Sequence, residues 1–272
     1  MNFNIKKVLA VLGLASTVAL FGCGEKEAAT AEQSQITIGV IAGAEAQVAE
    51  VAAKVAKDKF GLDVEIVTFT DYITPNAALD EGSIDINAFQ HKPYLDQQIA
   101  DRGYQFAVAG NTLVYPIAGY SNKITSLDEL KEGDQIAVPS DPTNLGRSLI
   151  LLEKQGLLTL KEGVGLQATV LDIVSSEKNL KIVELEAAQL PRSLDDVSLA
   201  IINTTYASSI NLTPEQDGLF VEDKESPYVN LIVARADNVQ NENVQNFVQA
   251  YQSEEVYQAA IEIFKGGAVK GW

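Results

Sequence analysis

Short apolar runs alternate with amphipathic segments along most of this chain. Residues 36–40 and 63–69 have the length and apolar content of buried strands. Between them, apolar residues recur at helical spacing from Gly43 to Gly61, and a glycine is a common helix stop. Further strands are predicted at residues 84–89, 113–119, 135–138, 180–184, 199–202 and 229–234. Strands that alternate with helices predict α/β layers.

Start and stop signals place the other helices. Pro93 suits the first turn of a helix over residues 93–102. Ser126 and Glu129 form the pattern of a capping box, which predicts a short helix there. Residues 139–143 are predicted to form a rigid turn, followed by a helix over residues 144–155 whose first turn contains Arg147. Residues 241–264 contain one or two helices.

The order of these elements permits two α/β lobes. Residues 36–118 form the first part of lobe 1, residues 119–228 form lobe 2, and residues 229–272 return to complete lobe 1. The apolar strands at residues 113–119 and 229–234 are predicted to cross between the lobes. They would form a two-strand hinge beside a ligand cleft.

The start of the chain has the features of a secretion signal. Lys6 and Lys7 precede the apolar residues 8–21, which are too few to span a bilayer but fit a signal peptide over residues 1–22. Leu20 and Gly22 before Cys23 resemble a lipobox, so we expect Cys23 to carry a lipid anchor. The alternative is an ordinary cleaved signal with an incidental cysteine. Residues 23–35 are small and polar, as in a flexible tether.

Composition excludes several classes of function. A net charge of −17 over 272 residues disfavours nucleic acid and anionic lipid surfaces as partners. The single cysteine cannot form an internal disulfide, and the presence of only one histidine disfavours a zinc site. Neither a G-x-S-x-G nucleophile elbow nor a phosphate-binding loop occurs. We therefore expect a protein without cofactor or metal that is not an enzyme.

Candidate site residues follow the predicted strands. In open α/β sheets, ligands bind beyond the carboxyl ends of strands and against helix N-termini. The aromatic and polar residues at such places are Tyr72, Phe89, His91, Tyr94, Asn144, Arg147, Asn203 and Asn230. Aromatic rings from lobe 1 and an arginine and amides from lobe 2 suit a small ligand with an apolar body and a carboxylate.

Each of these residues also has a structural interpretation. The tyrosines and the phenylalanine could be ordinary core residues. His91 could cap the helix that begins near Pro93, and Arg147 could pair with an acidic neighbour such as Glu153 or stay solvated. Asn203 could be a turn residue at a strand end. Their convergence is a stronger signal than any one of them.

Seven blocks of sequence add a family resemblance. They are residues 89–96 (FQHKPYLD), 111–112 (NT), 115–120 (YPIAGY), 139–148 (PSDPTNLGRS), 190–196 (LPRSLDD), 203–207 (NTTYA) and 225–231 (ESPYVNL). These blocks resemble the methionine-binding lipoproteins of bacterial methionine ABC importers, the NlpA lipoprotein family. The resemblance covers residues 36–272 and implies a periplasmic-binding-protein fold with methionine in the cleft.

The resemblance also implies roles for the candidate residues. Tyr72, Phe89, His91 and Tyr94 would line the side-chain end of methionine, where a thioether gains from aromatic contact. Arg147 would bind the α-carboxylate through its two-pronged guanidinium. The residues that would help fix the zwitterion are Asn144, Asn203 and Asn230, with Tyr115 and Gly146 nearby. This set contains no anionic partner for the ligand ammonium.

The predicted function is capture of methionine outside the cytoplasm. The expected partners are L-methionine and an ABC permease with its cytoplasmic ATPase. We also expect a lipid on Cys23 to anchor the protein to the cell membrane, with the protein facing the periplasm. We expect a monomer. The open alternatives are another ligand (D-methionine, a methionine derivative or peptide, or another apolar amino acid), an enzyme on the same fold, and a surface adhesin.

Overall fold

A computed structural model describes residues 34–223 and 227–272; Cys23, the leader and most of the tether lie outside this range. The strands are β1 Gln35–Ile41, β2 Asp63–Phe69, β3 Ile86–His91, β4 Phe106–Val114, β5 Ala118–Tyr120, β6 Gln135–Pro139, β7 Leu158–Leu160, β8 Ile173–Ser176, β9 Lys181–Leu185, β10 Leu199–Ile202, β11 Phe220–Val221, β12 Val229–Arg235 and β13 Val269–Lys270. The helices are α1 Ala44–Phe60, α2 Thr74–Asp80, α3 Lys92–Arg102, α4 Pro142–Lys154, α5 Leu190–Ser193, α6 Thr204–Ser209, α7 Pro214–Asp217, α8 Glu242–Tyr251 and α9 Glu254–Ile263.

Most strands belong to one of two sheets, and the predicted α/β architecture is confirmed. The first sheet has the order β13-β4-β12-β3-β1-β2, and the second has the order β11-β5-β10-β6-β9. We call the unit built on the first sheet lobe 1 and the unit built on the second sheet lobe 2. The hairpin of β7 and β8 lies apart from both sheets. Within the described ranges, no helix is long and apolar enough to cross a bilayer.

Helix α1 shows how the sequence pattern builds the core of lobe 1. Val48, Ala52 and Val55 recur on one face of the helix and are almost completely buried. They pack in one cluster with strand residues of the sheet and with Phe247 of α8. Burial of each large apolar side chain contributes roughly 1.5–3 kcal/mol. Gly61 ends the helix in the left-handed conformation, with φ of 65°.

The chain passes between the two sheets twice, but outside the strands predicted to cross. The apolar segment at 113–119 is not one strand, because β4 ends at Val114 in lobe 1 and β5 begins at Ala118 in lobe 2. The first crossing is therefore residues 115–117, where Pro116 has no N–H for a sheet ladder. The second crossing precedes β12, which itself lies between β3 and β4 in lobe 1. The predicted lobe boundaries stay a prediction.

Helix α4 begins earlier than predicted. Pro142 is its first residue, and the carboxylate of Asp141 caps it by accepting a hydrogen bond from the Asn144 N–H at 2.9 Å. Proline at the first helical position has its φ already set for a helix, so residues 142–143 join the helix and not the turn. As a consequence, Arg147 lies in the second turn and not in the first.

Candidate ligand-binding site

The eight predicted site residues line the same cavity between the lobes. Lobe 1 supplies aromatic and polar groups from the end of β2, from β3, from the first turn of α3 and from β12. Lobe 2 supplies α4 and the start of α6. The lining residues are Tyr72, Phe89, Gln90, His91, Tyr94, Tyr115, Asn144, Arg147, Asn203, Thr204, Thr205 and Asn230.

One wall of the cavity is aromatic. The ring of Tyr72 lies 5.9 Å from the ring of Phe89 and 6.2 Å from that of Tyr94, between centroids. The Tyr94 hydroxyl donates to the backbone oxygen of Tyr72 at 2.8 Å, and this hydrogen bond fixes the ring of Tyr94 at the edge of the wall. Burial raises the pKa of both tyrosines above the ordinary value. This wall is therefore uncharged and suits an apolar or thioether group.

His91 combines both interpretations considered for it. Its Nδ1 accepts the Tyr94 N–H at 3.1 Å and caps α3, while its ring also lines the cavity. Because Nδ1 is an acceptor, Nε2 carries the proton and donates to Asn144 Oδ1 at 3.2 Å. Burial, with a smaller contribution from the Arg147 charge, lowers the pKa of His91 to about 3. The ring is neutral at physiological pH.

A chain of amides fixes the polar wall. Both carboxylate oxygens of Asp141 accept from Asn144 Nδ2, at 3.1 and 3.0 Å, so the amide orientation of Asn144 is defined. Its Oδ1 then accepts from His91 Nε2 and also from Asn203 Nδ2 at 3.0 Å. Asn203 Oδ1 is left buried, without a hydrogen-bond partner in the described part of the chain. A buried acceptor of this kind costs about 1–3 kcal/mol unless a donor reaches it.

Arg147 is buried and held from three sides. Its Nε donates to Glu222 Oε1 at 2.8 Å, Nη2 donates to Glu222 Oε2, and Nη2 also donates to the backbone oxygen of Tyr115 at 3.1 Å. The guanidinium carbon lies 4.1 Å from the ring centre of Tyr228. The acidic partner is therefore Glu222 and not Glu153. Among the described residues these bonds engage three of the five N–H donors, so a ligand carboxylate would be reached through Nη1.

Asn230 completes the wall from lobe 1. It lies in β12 beside β3, and its Nδ2 donates to the backbone oxygen of Phe89 at 3.1 Å. This bond joins the amide to the strand that carries the aromatic wall. The weaker candidate Tyr115 also lines the cavity, whereas Gly146 does not. A Cβ at Gly146 would lie 2.2 Å from the backbone oxygen of Leu166, so this glycine permits close packing behind α4.

Three lining residues were not predicted. Thr204 and Thr205 follow Asn203 at the end of β10, so the strand-end rule that selected Asn203 could also have selected them. Gln90 belongs to a buried set of amides in which its Nε2 donates to Asn76 at 2.7 Å and to Asn87 at 2.9 Å. No local signal in the sequence shows this set, because its members come from α2 and β3.

Comparison with known families shows which family the chain belongs to. The profile described as NlpA lipoprotein matches residues 36–272. The chain belongs to the NlpA lipoprotein family. It is 70% identical over 272 residues, the whole of both chains, to a probable D-methionine-binding lipoprotein MetQ of Vibrio cholerae. It is 68% identical over 274 residues, again the whole of both chains, to the D-methionine-binding lipoprotein MetQ of Escherichia coli.

Solved structures agree with the family assignment. A crystal structure of the methionine binding protein MetQ matches with a TM-score of 0.87 and 72% identity, over 88% of this chain and 98% of that one. A nutrient binding protein from Burkholderia cenocepacia bound to methionine matches with a TM-score of 0.85 and 49% identity, over 87% of this chain and the whole of that one. The NlpA resemblance and the periplasmic-binding-protein fold are confirmed. The chain is a binding protein and not an enzyme.

Proposed function

We propose that this NlpA family member captures methionine outside the cytoplasm and delivers it to an ABC importer. The observation that carries the proposal is a cavity between the lobes with an aromatic wall opposite a wall of amides and Arg147. Two relatives named for D-methionine and one related structure named as bound to methionine support this ligand.

The two walls suggest how the ligand lies. The thioether packs between Phe89 and the tyrosines, where sulfur gains about 0.3–1.5 kcal/mol from aromatic contact. The α-carboxylate accepts from Nη1 of Arg147. The ammonium donates to Asn203 Oδ1, which has no other partner among the described residues. This placement satisfies the buried acceptor that the amide chain leaves open.

Contacts across the cleft explain how ligand binding and closure are coupled. His91 of lobe 1 bonds Asn144 of lobe 2, and the Tyr206 hydroxyl of lobe 2 donates to the backbone oxygen of Thr70 at 3.3 Å. A ligand that touches both lobes favours the arrangement in which both walls are present. The closed form would then present methionine to the permease, and the ATPase would drive transport.

The anchor completes the proposal. Cys23 would carry the lipid that holds the receptor to the membrane, facing the periplasm, and residues 24–35 would tether the lobes. This geometry keeps a monomeric receptor close to the permease that it serves. Cys23 lies outside the described residues, so its support is the lipobox-like sequence and the lipoprotein family.

Calorimetric titration of ligand-stripped soluble protein tests the ligand directly. We expect one site for L-methionine, and titration with D-methionine measures the preference between isomers. Alanine, which retains the zwitterion but lacks the thioether, should bind much more weakly. If alanine bound as tightly as methionine, the aromatic wall would have no role in affinity. If neither L-methionine nor D-methionine bound, the proposal would be contradicted.

A further inference from the structure

A buried carboxyl group lies behind the cavity, outside the predicted site. Glu45 is in the first turn of α1, and only 3% of its surface is exposed. Burial of a charged carboxylate is costly, so a buried carboxyl group commonly becomes neutral. Its Oε2 has no hydrogen-bond partner in the ranges that the structure describes.

The other oxygen of this carboxyl connects the two lobes. Thr205 in α6 of lobe 2 donates its hydroxyl to Glu45 Oε1 in lobe 1, at 2.6 Å and in a buried setting. Thr205 also lines the cavity. The hydrogen bond therefore joins the first turn of α1 to the wall of the ligand site across the cleft, and it exists only when the lobes are in contact.

The surroundings of Glu45 favour its neutral form. Burial raises its pKa to about 8, against smaller opposite contributions from Thr205 and from the backbone of Ile41. The titratable groups that face it are Tyr72, Tyr115, Tyr206 and Tyr251, from the end of β2, the first crossing, α6 and α8. Burial raises the pKa of all four, so none of these groups is charged near neutral pH.

We propose that Glu45 is a positioning residue of the ligand site, whose carboxyl group holds Thr205 across the cleft and takes up a proton when the lobes close. This inference rests on the ligand-driven closure proposed above. When the lobes separate, Thr205 leaves and water reaches the carboxyl, which returns toward its ordinary behaviour. Closure then removes the water, and this desolvation favours the protonated carboxyl group. Closure also restores the hydrogen bond from Thr205.

The sign of the pH dependence follows from this cycle. The pKa of Glu45 is higher in the closed form, at about 8, than the ordinary value of 4.5 expected in the open form. Closure therefore binds a proton between these values. Ligand affinity should be highest near the lower value and fall by up to about tenfold for each pH unit as the pH rises toward 8. Above that range the affinity should become constant.

Calorimetry at one pH in buffers of different ionisation enthalpy measures the protons taken up. At about pH 6.5 we expect close to one proton per methionine for the wild-type protein, and none for Glu45→Gln, which retains an acceptor for Thr205. Glu50→Gln is the matched control, because Glu50 is exposed on the same helix, and it should keep the wild-type uptake. Thermal unfolding of each variant checks that it is folded.

Thr205→Val tests the cross-cleft bond without changing the carboxyl group. Loss of one hydrogen bond should weaken methionine binding by about threefold to tenfold, with proton uptake retained. Methionine binding without proton uptake, or with the same uptake in Glu45→Gln, would overturn the inference and leave the proposed function standing. Unchanged affinity in Thr205→Val would overturn it as well. Failure of wild-type protein to bind either isomer would overturn both.

Discussion

At the scale of single residues, the polar side chains of the cavity are fixed by partners that folding brings from other segments of the chain. Arg147 is held in this way by the carboxylate of Glu222. Its partner Glu222 is 75 positions away and is one of 37 acidic residues, so no local pattern distinguished it. The same holds for the Asp141–Asn144–Asn203 chain, whose amide orientations depend on contacts formed only in the folded protein.

Replacement of Arg147 tests the carboxylate role. Arg147→Ala should weaken methionine binding by about 2–5 kcal/mol, because removal of one partner leaves the other charge buried and unpaired. Part of this loss would come from Glu222, so Arg147→Ala combined with Glu222→Gln should separate the two effects in calorimetric titrations. Methionine affinity equal to that of wild type in the single variant would disprove the role.

The protonation state of His91 can be observed without ambiguity, because it is the only histidine of the chain. Its pKa of about 3 is lower than the ordinary value of 6.5, so the unfolded chain binds the proton more readily. The stability that neutral His91 contributes is complete above about pH 6.5 and declines as the pH falls toward 3. NMR of the ring nitrogens should show a neutral Nε2–H tautomer at pH 5. Titration near pH 6.5 would contradict the buried setting.

At the scale of elements, hydrophobic periodicity and helix start and stop signals predicted most strands and helices. The wrong predictions have physical causes. Residues 113–119 form one apolar run in the sequence, yet Pro116 divides the run between two sheets. Helix α4 begins at Pro142 because the Asp141 cap and the proline act together. Hydrophobicity alone does not distinguish a strand that crosses between lobes from two strands that end in different sheets.

Close packing of α4 gives a prediction at this scale. Gly146→Ala would place a Cβ 2.2 Å from the Leu166 backbone oxygen, so the helix or the Leu166 loop must shift. We expect the free energy of unfolding to fall by about 1–3 kcal/mol, as for overpacked cores, when measured by urea titration. Lys154→Ala on the exposed side of the same helix is the control and should change it by less than about 0.5 kcal/mol. A stabilised Gly146→Ala protein would refute the packing role.

At the scale of the whole molecule, the position of the candidate site between two lobes explains why its residues come from distant parts of the chain. The strand ends of lobe 1 and the helix starts of lobe 2 face each other across the cleft. The sequence predicted this convergence from the order of elements and from the family resemblance. It could not predict the cross-cleft bonds of His91 and Glu45, because these depend on how the lobes meet.

Cys23→Ser tests whether a lipid on Cys23 anchors the protein to the membrane. Without the thiol no lipid can be attached, so the variant should appear in the soluble extracytoplasmic fraction and should not incorporate labelled fatty acid. Methionine binding by the purified variant should equal that of soluble wild-type protein, because Cys23 lies outside the matched region of residues 36–272. Incorporation of labelled lipid by the variant would contradict the anchor.

Native mass spectrometry of the soluble protein, purified without removal of its ligand, tests the central claim most directly. The account predicts one bound molecule with the mass of methionine per chain, and its loss or strong reduction in Arg147→Ala. The intact mass also reports whether the protein is a monomer. A wild-type chain that carries no small molecule when methionine is supplied, or that carries a different one in its place, would contradict the proposed function.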